Sequence, residues 1–109
     1  MNAIQGFPFF KGATAAGESD AFVSHCYTDG TIEFKGSATS FSAEIQGCID
    51  REGTPNWVTL KVVNESTFDL VTDVEAAGLY SFNAMGKAIR VKINSISGGD
   101  LTVTGKFLN

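Results

Sequence analysis

The stretch Ala88–Leu108, AIRVKINSISGGDLTVTGKFL, carries the clearest pattern in the chain. Ile89, Val91 and Ile93 recur at every second position, with Arg90, Lys92 and Asn94 between them. Successive side chains of an extended backbone point to opposite faces, so this is a half-buried strand with an apolar inner side. Ser97-Gly98-Gly99-Asp100 follows, a turn signal in which either glycine tolerates positive φ. Leu101 and Val103 then alternate with Thr102 and Thr104. Two alternating runs joined by a short glycine turn predict a β-hairpin over residues 89–108.

The same period recurs on both sides of this anchor. Phe41, Ala43 and Ile45 alternate with Ser42, Glu44 and Gln46, and Cys48 continues toward the interior. Trp57-Val58-Thr59-Leu60-Lys61-Val62 sets Val58, Leu60 and Val62 on one face. Shorter strands are expected at Thr67–Val71, Gly78–Phe82, Ile32–Phe34 and Phe22–Tyr27, and one more around Phe7–Phe10, where Pro8 confines it to a sheet edge. Helical periodicity is nearly absent; Asp73–Ala77 is read as a loop that Gly78 ends. Eight to nine short strands with regular turn signals predict an all-β fold. The architecture is an antiparallel, jelly-roll-like β-sandwich in one domain. Residues 1–20 are expected to form an edge strand and a mobile loop (KGATAAGESD), with the sandwich over residues 21–109.

Composition narrows the partners. A chain of 109 residues with 43% hydrophobic content can build one core without metal or disulfide staples. Eight Lys and Arg against 12 Asp and Glu give a net charge of −4, and no cationic run offers phosphates a surface. Nucleic acid is therefore not an expected partner. No apolar run approaches the roughly 18–20 residues of a membrane span, so no membrane contact is expected either. Met1–Phe10 lacks the basic start of a secretory signal, so synthesis in the cytoplasm without a signal peptide is expected. Cys26 and Cys48 are expected to be buried thiols rather than a disulfide.

No catalytic, cofactor or metal constellation emerges. The single His25, two distant cysteines and the Asp69/Asp73 pair lack ligand spacing for zinc or calcium. His25 and Cys26 are strand neighbours and point apart, so they form no nucleophile–base dyad. Asp50 and Glu52 straddle Arg51 in a turn that supplies no cleft for glycosidic acid–base work. Gly98-Gly99 lacks the Lys-Ser/Thr and helix of a phosphate loop. The expectation is a protein that is not an enzyme.

The aromatic residues point to binding instead. Nine Phe are many for one small sandwich core, and Phe7, Phe9 and Phe10 lie close to a terminus. These three are a candidate oligomer interface, together with Trp57, which alternates out of phase with Val58, Leu60 and Val62. Asp50, Arg51, Glu52, Asn56 and Tyr80 are candidate loop contacts, for a glycan or receptor among others.

The order of elements carries a resemblance. Glu44–Leu60 reads EIQGCIDREGTPNWVTL: a strand ending in I-Q-G-x-I-D, a turn, then W-V-x-L. Gly78-x-Tyr80-x-Phe82, Arg90-Val91-x-Ile93 and Gly99-x-Leu101-Thr102-Val103-x-Gly105 follow in order. This set resembles small β-sandwich virion structural proteins of tailed bacteriophages and prophages, with a G-S-I-D-G-x-x-W turn and a G-x-Y-x-F/V…R-V-x-I…G-x-I/L-T-V-x-G tail. It covers roughly Thr31–Asn109. Cys48 stands where Ser is usual, and Glu52–Pro55 lengthens the turn. The resemblance implies a capsid decoration or tail accessory protein located in the virion. It would bind a phage capsid or tail protein as a homo-oligomer, with a trimer the favoured state. A glycan- or receptor-binding module of a fibre and a small inhibitor of a host protein or nucleotide signal are the alternatives.

Overall fold

The computed structural model describes residues 6–23, 27–49 and 55–108. They form two antiparallel sheets and no helix. Eleven strands run β1 (Phe7–Ala13), β2 (Gly17–Glu18), β3 (Phe22–Val23), β4 (Asp29–Lys35), β5 (Ser40–Cys48), β6 (Val58–Thr59), β7 (Val62–Asn64), β8 (Leu70–Val71), β9 (Gly78–Asn83), β10 (Ala88–Ser97) and β11 (Leu101–Leu108). The first sheet has the order β1-β11-β4-β9-β7-β8 and the second β2-β10-β5-β6, with β3 also paired to β10. The fold class is the expected all-β sandwich. The count exceeds eight or nine because several edge strands are only two residues long.

The alternation in residues 88–108 holds, but the hairpin does not. β10 pairs β5 on one edge and β2 and β3 on the other, whereas β11 lies in the opposite sheet between β1 and β4. The Gly98-Gly99-Asp100 link is an arch from one sheet to the other. Ile89, Val91 and Ile93 therefore face Leu101, Val103 and Phe107 across the core instead of lying beside them. The Asp100 carboxylate fastens the arch, accepting hydrogen bonds from the Ser37 backbone N (3.0 Å) and Oγ (2.9 Å) in the link between β4 and β5. At Gly36, φ is +150° and a Cβ would strike the Asp100 carbonyl, so only glycine fits.

Two further strands depart from the expected course. Residues 57–62 split between the sheets: Val58–Thr59 pairs with β5, and Val62 begins β7 in the other sheet. Val58 is consequently exposed at an edge while Val62 is buried. Thr67 and Phe68 belong to a turn, and only Leu70–Val71 continues as strand.

Residues 7–18 are not an appendage. β1 pairs β11 along the sheet edge, as Pro8 requires, and β2 crosses to the second sheet. Phe9 is 5% exposed and part of the core. Phe7, Phe9, Phe22, Phe82, Phe107 and Tyr27 form one aromatic cluster, with Phe22 stacked on Phe107 at 4.2 Å and Phe7 edge-on to Phe9 at 4.8 Å. Gly30 and Gly105 make room for it, because side chains there would collide with the rings of Phe82 and Phe9. The expected interface trio is thus divided. Phe9 belongs to the core, and Phe7 and Phe10 pack against it half-buried.

Candidate functional site

Two surface features stand apart from a uniformly solvated sandwich. One is the outer face of the second sheet, where the register sets Arg90, Gln46 and Thr59 in one row across β10, β5 and β6. The neighbouring row holds Lys92, paired to Glu44 on one side and to Glu18 on the other. These residues are the polar halves of the alternating strands, so they lie on the side opposite Ile45 and Val91, where Gln46 is nonetheless buried.

Their side chains are joined. Glu44 accepts hydrogen bonds from the Thr59 hydroxyl, from Gln46 Nε2 (3.1 Å) and from Asn94 Nδ2 (3.0 Å). The Thr59 hydrogen bond above all holds its carboxyl below the usual carboxylate range; burial opposes this, and Asn94, Gln46 and the nearby Lys92 charge assist it. Arg90 Nε donates to Gln46 Oε1 at 2.7 Å, and its guanidinium lies 4.4 Å from the centre of the Trp57 ring. The guanidinium is therefore held at two points, by a hydrogen bond and by a cation–π contact. Among the described residues Gln46 supplies its one hydrogen-bond partner, and the terminal nitrogens remain available.

The second feature is the β7–β8 hairpin with its flanks, residues 64–76, NESTFDLVTDVEA. Asn64 starts the turn: its Oδ1 accepts from Ser66 N (2.9 Å) and its carbonyl from Phe68 N (2.7 Å). Phe68 occupies the left-handed position at φ 62°, where glycine or asparagine is normal. Its ring is 79% exposed, and Leu70 is 65% exposed. Four of the chain's twelve acids, Glu65, Asp69, Asp73 and Glu75, lie in this arm, and none of its eight bases does. The remaining eight acids and eight bases cancel, so the arm holds the whole net charge of −4.

The sequence-predicted residues are distributed unevenly over these features. Trp57 is half-buried beside Arg90 on the polar face. Tyr80 is 2% exposed, and its hydroxyl donates to the Ala76 carbonyl at 2.8 Å, so it is a core residue rather than a loop contact. Asn56 is exposed and helps line a cavity of about 430 Å³ with Gly47, Val58 and Leu60 at the end of β6. Asp50, Arg51, Glu52, His25 and Cys26 lie outside the described residues, and Cys48 is buried. Residue pattern alone missed Arg90, which reads as an ordinary outward strand position. It also missed Phe68, which reads as one more core aromatic within Thr67–Val71.

Comparison with known proteins gives the context. A family model described as XepA matches residues 3–107. The chain belongs to the XepA family. A search of curated proteins found no match. Among solved structures, the crystal structure of the SPBc2 prophage-derived protein YomS superposes with a TM-score of 0.89 at 24% identity, over 99% of this chain and 94% of that one. The PBSX exported protein XepA superposes with a TM-score of 0.90 at 21% identity, over 97% of this chain and 37% of that one. The XepA-type fold thus accounts for nearly this whole chain and for little more than a third of the XepA chain itself. The first of these two proteins is described as prophage-derived and the second as exported.

Proposed function

We propose that the chain is a non-enzymatic accessory protein of a phage particle that self-associates and attaches to a repeating capsid or tail lattice. The observation that carries this reading is the arm, where a monomer leaves Phe68 and Leu70 in water on a backbone conformation unfavourable to phenylalanine. An aromatic side chain gains much of its stabilisation from burial, so one held outward in a left-handed turn is suited to a partner. The likeness to prophage-derived YomS supports the phage context, and attachment to a lattice requires only modest affinity per copy. The contact surface differs from the Phe7–Phe10 strip expected from sequence, because Phe9 is needed in the core. The test is light scattering on the purified chain followed by titration onto empty capsids of the encoding phage. A defined oligomer that binds with saturable stoichiometry is expected; a monomer that binds no capsid contradicts the reading.

A further inference from the structure

We propose that the acidic arm of one copy docks on the Trp57–Arg90 face of a second copy, its carboxylates engaging the fixed guanidinium; this rests on the reading that the chain self-associates.

The receiving side is already organised. Arg90 is held between Gln46 Oε1 and the Trp57 ring, so little side-chain freedom is lost when it binds. A planar guanidinium with open terminal nitrogens matches a carboxylate through two parallel hydrogen bonds. Glu44 does not compete strongly for it, because its oxygens already accept from Thr59, Gln46 and Asn94. Lys92 stands in register between Glu44 and Glu18, whereas Arg90 has Gln46 beside it and no carboxylate partner among the described residues.

The donating side has the complementary chemistry. Asp69 and Asp73 are exposed, and neither carboxylate accepts a hydrogen bond from the described residues. Phe68 and Leu70 stand beside them as apolar anchors. Two arms facing each other would oppose net charges of −4, so a self-complementary arm–arm contact is disfavoured. An arm-to-face contact joins unlike patches instead. It is heterologous, and a pair of copies keeps one free arm and one free face between them for the next.

Charge reversal separates this contact from self-association in general. Sedimentation velocity of the full-length chain would compare the wild type, Arg90→Glu, the double variant Asp69→Arg/Asp73→Arg, and all three changes together, with thermal melts to confirm folding. Each reversal alone is expected to weaken association about tenfold or more, and the combination to recover most of it. Arg90→Lys keeps the charge but loses the planar fork, and an intermediate loss is expected. If the wild type assembles and the single reversals leave its mass unchanged, the docking is wrong while self-association stands. If both reversals weaken assembly and their combination restores nothing, direct pairing is wrong. Binding of the arm only to a different cationic protein also overturns it. A monomeric wild type removes both this contact and the reading it rests on.

Discussion

At the β1 edge of the six-stranded sheet, Phe7 and Phe9 turn into an aromatic cluster; at the β8 edge, Phe68 and Leu70 turn out into water. Both edges are apolar in sequence, yet they are managed in opposite ways. The β1 edge is blunted by Pro8, which has no N–H to offer, by register shifts on both sides of Phe10, and by the exposed Lys11. The β8 edge is only two residues long and carries acids instead of lysine, with a strained aromatic at its tip. One edge is built to be finished within the monomer. The other is left open in the monomer.

That contrast is open to attack from the closed side first. Phe9→Ala removes a ring packed against Phe7 and Phe107 and should cost about 3–5 kcal/mol in chemical denaturation, whereas Phe68→Ala should cost almost nothing. Equal losses at the two positions would erase the distinction between the edges. For the same reason, deleting residues 1–10 would disrupt the fold rather than merely detach an interface. A somewhat smaller effect is expected at the arch that joins the sheets. Gly36→Ala must accommodate both a φ of +150° and a collision with the Asp100 carbonyl, at about 2–4 kcal/mol. A melting temperature unchanged by this substitution would mean that the arch is not fixed as described.

Acid should act more weakly, and on the polar side of the comparison. Hydrogen bonds from the Ser37 backbone and hydroxyl lower the Asp100 pKa, and the Thr59 hydroxyl is the main cause lowering that of Glu44. A carboxylate whose pKa is depressed by folding contributes stability that is present above its unfolded value, about 4, and lost as pH falls through the folded value. Melting temperature should therefore decline below about pH 4, with a shallower decline in Asp100→Asn and Glu44→Gln. Identical pH profiles for the variants and the wild type would show that neither carboxylate is linked to folding.

The edges also show what residue pattern can and cannot convey. Inward positions such as Ile45, Val91 and Val103 are legible because burial imposes a period of two on any strand packed on a core. The sheet to which a strand belongs is not legible this way. Residues 88–97 and 101–108 have the same inward period whether they lie side by side or face each other across the sandwich. The glycines at 98 and 99 suit a hairpin and an arch equally well. Phe68 was obscured by the same ambiguity, since a phenylalanine between Thr67 and Leu70 reads as strand until the turn places it at positive φ. Arg90 could be placed on an outer face from sequence. Its immobilisation by Trp57 and Gln46, however, depends on three strands meeting in register.

One substitution tests the central claim that the arm trades monomer stability for docking. Phe68→Gly relieves the left-handed strain, about 1 kcal/mol after glycine's entropic cost, and removes the exposed ring. Melting temperature and solution mass measured on the same preparation should move in opposite senses, with the variant melting higher and assembling less. A variant that melts lower and assembles like the wild type would contradict the account.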